Sequence, residues 1–141
     1  MIKARRRTYL DSNIIIYLVD GEPARQTGTA RLIRSLKLDT DFVTSEMTVG
    51  ECLRGAFRRS NRGSAQSYRD LLLNPEFVAL VPVDLALIQR AAELGAELNM
   101  KLIDAIHVAT AEALSCDVFL TNDRGIRAPA AVALRYLSAQ A

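Results

Sequence analysis

Scarcity is the first feature of this 141-residue sequence: it has one histidine and two cysteines, and it lacks any run of roughly 18 apolar residues. The lone His107 excludes a histidine-rich metal site. A Ser-His-Asp scheme is unsupported as well, because no nucleophile motif accompanies it. Cys52 and Cys116 lie far apart among apolar neighbours, and neither has a second cysteine at a metal-binding spacing. Both read as reduced packing residues. Without a long apolar run or a charged-then-apolar leader, neither a membrane span nor a signal peptide is expected, and the simplest expectation is a cytoplasmic protein.

What is present points to a folded domain with a basic half. Half of the residues are apolar, and the length suits a single domain over residues 1–141 with a real core. Through Asp70 there are 13 basic and 8 acidic residues, and beyond it 5 and 8, so the first half carries +5 and the second −3. Of the 18 basic residues 15 are arginine, whose planar fork suits phosphate better than the lysine ammonium does. The balance leans toward a nucleic-acid partner.

Strands and helices alternate along the chain. Arg7 to Asp11 reads as a short strand, stopped by the cap-forming Asp11-Ser12-Asn13, with a buried helix from Ile14 to Val19. A second helix is predicted from Ala24 to Leu38, with Ala30, Ile33 and Leu36 to Leu38 on its inner side. Phe42 to Thr44 forms a strand, Ser45 caps the next helix, and Glu51 falls about two turns into it. From Cys52 to Arg69 there are five arginines, Arg54, Arg58, Arg59, Arg62 and Arg69, and no acid. This segment is either a phosphate-facing arm or a solvated basic face. Tyr68 and Phe57 are the aromatics available for stacking within it, and for Phe57 packing between helices is the favoured role. Phe77 to Val83 reads as a buried strand, Asp84 as the cap of a helix from Leu85 to Leu98, Cys116 to Leu120 as another strand, and Val132 to Leu137 as an edge strand.

The helix from Leu102 to Ala111 is apolar on nearly every side yet carries Asp104 near its start. A carboxylate there gains about 0.3–1 kcal/mol from the helix dipole, less than the several kcal/mol that desolvating an ion costs. A divalent cation shared with Asp11, Glu51 and Asp123 would compensate it. Taken singly, Asp11 is also a helix cap and Glu51 an ordinary exposed glutamate. Together they form a pattern, because Asp11 and Asp123 each follow a strand, Glu51 lies in the helix after the second strand, and Asp104 opens a buried helix. In a parallel sheet these positions share one edge. Carboxylate oxygens suit Mg²⁺ or Mn²⁺ better than Zn²⁺. His107, one turn after Asp104, reads as a packed or hydrogen-bonding residue, not a ligand, and Asp117, at the far end of its strand, as structural.

Four blocks carry a family resemblance over almost the whole chain. Leu10-Asp11-Ser12-Asn13, Ser45-x-x-Thr48-x-x-Glu51, Leu102-x-Asp104-Ala105-x-x-x-Ala109-Thr110-Ala111 and Leu120-Thr121-Asn122-Asp123 resemble, in order, those of PIN-domain ribonucleases. Within that family they look specifically like the short VapC-type toxins of toxin–antitoxin pairs. Ser12 stands where threonine is usual and keeps the hydroxyl, whereas Gly50 loosens the helix just before Glu51. The resemblance implies a three-layer α/β/α fold with a central, mainly parallel sheet. It implies Asp11, Glu51, Asp104 and Asp123 as catalytic, metal-binding acids for Mg²⁺ or Mn²⁺, with Asn13 and Thr121 in support and Arg54, Arg58, Arg59 and Arg62 facing RNA. The implied activity is metal-assisted hydrolysis of RNA, by a homodimer held in check by a cognate VapB-like antitoxin. An RNA-maturation or DNA nuclease, or an inactive PIN-like binding module, is the alternative. A phosphorelay receiver fits poorly, since no lysine follows Lys101.

Overall fold

The computed structural model describes residues 5–137. In chain order these form β1 (Arg6–Leu10), α1 (Ser12–Asp20), α2 (Pro23–Leu36), β2 (Thr40–Ser45), α3 (Glu46–Arg58), α4 (Arg62–Leu72), β3 (Val78–Val81), α5 (Leu85–Leu98), α6 (Leu102–Ala113), β4 (Val118–Thr121) and β5 (Ala133–Tyr136). The strands make one sheet in the order β3-β2-β1-β4-β5, and every neighbouring pair is parallel. The expected mainly parallel sheet is thus wholly parallel among the described residues.

Side chains that alternate along a strand point to opposite faces, and two cores result. Tyr9, Val43 and Phe119 face a layer built from α5 and α6, which contributes Leu87, Leu94, Ile106 and Val108. Leu10, Phe42 and Leu120 face the other layer, where Ile14, Ile33, Tyr68 and Leu72 come from α1, α2 and α4. Helices on both faces of a parallel sheet give the three-layer α/β/α arrangement. Each fully buried large apolar side chain contributes about 1.5–3 kcal/mol, and such side chains from both faces of the sheet hold the two helix layers to it.

Several helix starts are set by short polar side chains, as the sequence predicts, whereas α2 and α6 have no side-chain cap. Asp11 caps α1, Ser45 caps α3 and Asp84 caps α5. Gly21 follows α1 at a close approach, where a Cβ would lie 2.5 Å from the Tyr17 carbonyl oxygen.

Several expectations are corrected. Helix α2 stops at Leu36, so Leu38 is 83% exposed and not on an inner face. Strand β3 covers only Val78–Val81 and lies at the sheet edge, which leaves Ala79 exposed. Phe57 is 56% exposed and does not pack between helices, whereas Tyr68 is buried and donates its hydroxyl to Asp20. Tyr68 therefore offers no stacking face. Helix α6 is buried from Ala105 to Ala111, but Leu102 and Ile103 are about half exposed and Asp104 is half-buried.

Candidate active site

The chain reverses its spread across the sheet at β1: the first connections lead outward through β2 to β3, and β4 then returns to the other side of β1. A crevice opens at the C-terminal strand ends of such a switch point. Asp11 follows β1 there and Thr121 ends β4 beside it.

Asp11 is 4% exposed and tightly held. Its carboxylate accepts from the Ser12 backbone N–H at 2.8 Å, the Asn13 amide at 3.1 Å and the Thr121 hydroxyl at 2.7 Å. Asn13 also donates to Thr121 Oγ1 at 3.1 Å, and its side-chain oxygen accepts the Asn122 backbone N–H at 2.9 Å. Thr121 Oγ1 further accepts the Asp123 backbone N–H at 3.0 Å. Asn13 and Thr121 thereby join the loop after β4 to the start of α1. Burial pushes the Asp11 carboxyl up, and the nearby Glu51 charge adds to the rise, although the charge of His107 and hydrogen bonds from Thr121 and Ser12 oppose it.

Asp104 lies in the first turn of α6, which has no side-chain cap. Its carboxyl is also pushed up, first by burial and then by the charges of Asp123, Asp11 and Glu51. The four acids thus share one electrostatic environment. Asp123 sits in the turn after β4, with Oδ1 accepting the Gly125 N–H at 2.8 Å.

Glu51 reaches inward from α3. Its Oε1 lies 2.6 Å from His107 Nε2, and the opposite ring nitrogen, Nδ1, lies 2.6 Å from the Tyr9 hydroxyl. Tyr9 in turn accepts the Ser45 backbone N–H at 3.1 Å. Burial works against a charged His107 ring, but the hydrogen bond to Glu51 and the charge of Asp11 outweigh it, so the net shift is upward. Burial drives the Tyr9 hydroxyl far up, so it stays protonated. Sequence reading placed His107 as a hydrogen-bonding residue but did not single out Tyr9. The available signal was a phenol two residues before Asp11 on a strand otherwise bound for the core.

Among the described residues, no three His, Cys, Asp or Glu side chains converge closely enough to hold a metal ion as they stand. The chemistry of the donor set nevertheless fits a hard divalent cation: the donors are carboxylate oxygens, and two of the four carboxyls are pushed up by burial together with the charges of the others. A cation would relieve that repulsion. The basic residues singled out by the sequence, Arg54, Arg58, Arg59 and Arg62, are all exposed on α3, α4 and the turn between them. Arg59 is ion-paired with Asp20 at 2.8 Å.

The PIN domain family profile matches residues 8–132. No curated protein matches the chain. Among solved structures, VapBC2 from Rickettsia felis, bound to a DNA fragment from its promoter, is similar at 17% identity and a TM-score of 0.72, over 92% of this chain and 98% of that one. VapC20 from Mycobacterium tuberculosis, described as a sarcin-ricin loop cleaving toxin, is 21% identical with a TM-score of 0.68, over 79% and 86%. VapBC-1 from nontypeable Haemophilus influenzae is 21% identical with a TM-score of 0.67, over 94% and 98%. At these identities the likeness concerns the fold.

Proposed function

Given that this chain belongs to the PIN domain family, we propose that it is a metal-dependent endoribonuclease, acting as a toxin that a cognate antitoxin restrains. The observation that carries the reading is the shared electrostatic environment of Asp11, Glu51, Asp104 and Asp123 at the sheet's switch point. The likeness in fold to VapC-bearing complexes supports the toxin reading.

In this reading the four acids hold Mg²⁺ or Mn²⁺. Such an ion, when bound, supplies a water of lowered pKa and charge neutralisation at the phosphoryl oxygens. The remaining work belongs to the chain. Asn13 and Thr121 fix the rotamer of Asp11, and the buried setting of Asp11 excludes competing bulk water. The exposed side chains of Arg54, Arg58 and Arg62, with Arg59 beside them, bind the RNA backbone as a segment free of acids. No protein nucleophile is needed.

The partners follow from the same reading. A second copy of the chain completes a homodimer, and an antitoxin segment covers the acids with an arginine, whose fork bonds carboxylates bidentately. A groove of about 630 Å³ between α1, α2 and α4, lined by apolar side chains such as Leu18, Ile33, Leu71 and Phe77 and by polar ones including Arg34, Lys37 and Asp70, offers the antitoxin a second place to dock.

Expression of the chain alone should arrest growth of a bacterial host, and Asp11→Ala should relieve the arrest at equal protein level. The purified chain should cleave RNA with Mg²⁺ or Mn²⁺ and stop in excess EDTA. A harmless wild type at confirmed soluble levels would overturn the toxin reading, and full cleavage in chelator would overturn the metal-dependent one.

A further inference from the structure

We infer that His107 is a positioning residue: held by Tyr9, it aims the Glu51 carboxylate at the other acids, so that helix α6 supplies one acid directly and a second through a hydrogen bond. The inference rests on the reading of Glu51 as a metal-binding acid.

Glu51 needs such a constraint. It projects from the middle of α3 on a long side chain that is 31% exposed, it follows Gly50, and a side chain at position 50 would meet open space. A glutamate so placed loses rotamer freedom only if something holds it. His107 can hold it, because the ring is 1% exposed and cannot reorient without breaking the core.

The ring is itself fixed from behind. Tyr9 meets it edge-on, with centroids 5.8 Å apart, and the Tyr9 hydroxyl lies 2.6 Å from Nδ1. Tyr9 is stacked on Phe119 at 4.9 Å with an interplanar angle of 11°. Its hydroxyl also accepts the N–H of Ser45, the residue that caps α3. The chain of contacts therefore runs from β4 through β1 and α6 to α3, and it meets α3 at both its cap and its acid. Only Oε1 of Glu51 is engaged by His107, which leaves Oε2 for another role. Asp104 lies three residues before His107, on the same face of α6. The separation of Asp104 and Glu51 is thus referred to a single rigid helix. A partner that orients a metal-binding side chain through a hydrogen bond raises affinity without touching the ion.

Titration calorimetry with Mn²⁺ at one fixed pH, on the full chain, tests this with a readout independent of cleavage. His107→Phe should weaken Mn²⁺ binding by about 10- to 100-fold. His107→Gln, whose amide can still donate to Glu51, should recover part of that loss. In a Glu51→Gln background, His107→Phe should cost almost nothing further, whereas a merely structural role would add its loss independently. Wild-type affinity in His107→Phe, beside a weakened Glu51→Gln, would overturn the positioning role, as would full additivity in the double variant. Should Glu51→Gln itself bind Mn²⁺ like the wild type, the assignment of Glu51 as a ligand fails, and the inference falls with it. If circular dichroism shows His107→Phe to be unfolded, Tyr9→Phe decides. It removes the hydroxyl behind the ring together with the acceptor of the Ser45 N–H, and unchanged affinity in that variant would overturn the inference.

Discussion

At the scale of single residues, the site is a problem of like charges. Asp104 is half-buried and its carboxyl is pushed up by burial and then by Asp123, Asp11 and Glu51. Replacing it by the neutral isostere should therefore relieve repulsion in the metal-free protein. Asp104→Asn is expected to abolish RNA cleavage while the metal-free melting temperature stays level or rises. Parallel thermal melts and cleavage assays check both halves, and a marked drop in melting temperature would point to a structural carboxylate instead. Asp20 shows the opposite balance. Burial alone would raise its carboxyl, but hydrogen bonds from Ser64 and Tyr68 at 2.5 Å each, and the charge of Arg59, hold it below the ordinary range. A depressed carboxyl stabilises the fold above the ordinary aspartate value of about 3.9, and that contribution is lost as pH falls through the lower folded value. Asp20→Asn should flatten this acid limb, which denaturation curves between about pH 5 and pH 2 would reveal.

At the scale of elements, single polar side chains at helix ends tie neighbouring helices together. Asp20 closes α1, and its three partners lie on α4 and at the end of α3, so one carboxylate joins three helices of the same layer. Asp20→Ala leaves the buried Tyr68 hydroxyl without its acceptor and is expected to cost about 1–3 kcal/mol. Ser45 is a second such point. Its hydroxyl accepts the Met47 N–H at 3.0 Å and its own N–H donates to Tyr9. Ser45→Ala keeps the second bond and loses the first, so a stability loss of about 1 kcal/mol is expected from chemical denaturation. A loss several times larger would mean that the side chain does more than cap α3.

At the scale of the whole molecule, the charge separation along the sequence becomes a separation in space. The acid-free segment Cys52–Arg69 covers the second half of α3, the turn after it and most of α4, in the layer opposite α5 and α6. Binding of single-stranded RNA by the inactive Asp104→Asn chain should therefore weaken steeply with salt, because each neutralised phosphate releases counterions. Arg54→Ala with Arg58→Ala should lower affinity and make the salt slope shallower, by about 0.7 for each phosphate that is no longer neutralised. Fluorescence anisotropy across a salt series measures this, and an unchanged slope would remove these arginines from the RNA-binding face.

What the sequence determined by itself was local. Polar caps at Asp11, Ser45 and Asp84, and apolar runs of strand and helix length, mark the elements because each signal lies within a few residues of the feature it specifies. Four spaced blocks were enough for the family, because each is a short local pattern, although the blocks meet only in the folded sheet, whose spatial order β2-β1-β4 is not their order in the chain. Burial at element edges was decided by the tertiary structure alone. Leu38, Phe57 and Ala79 are apolar, but whether they are covered depends on which strand ends the sheet and where each helix stops, and no local pattern encodes that. The partnership of Tyr9, His107 and Glu51 is likewise tertiary. It joins residues up to 98 positions apart, through an arrangement that exists only once α3 and α6 have packed on the sheet from opposite sides.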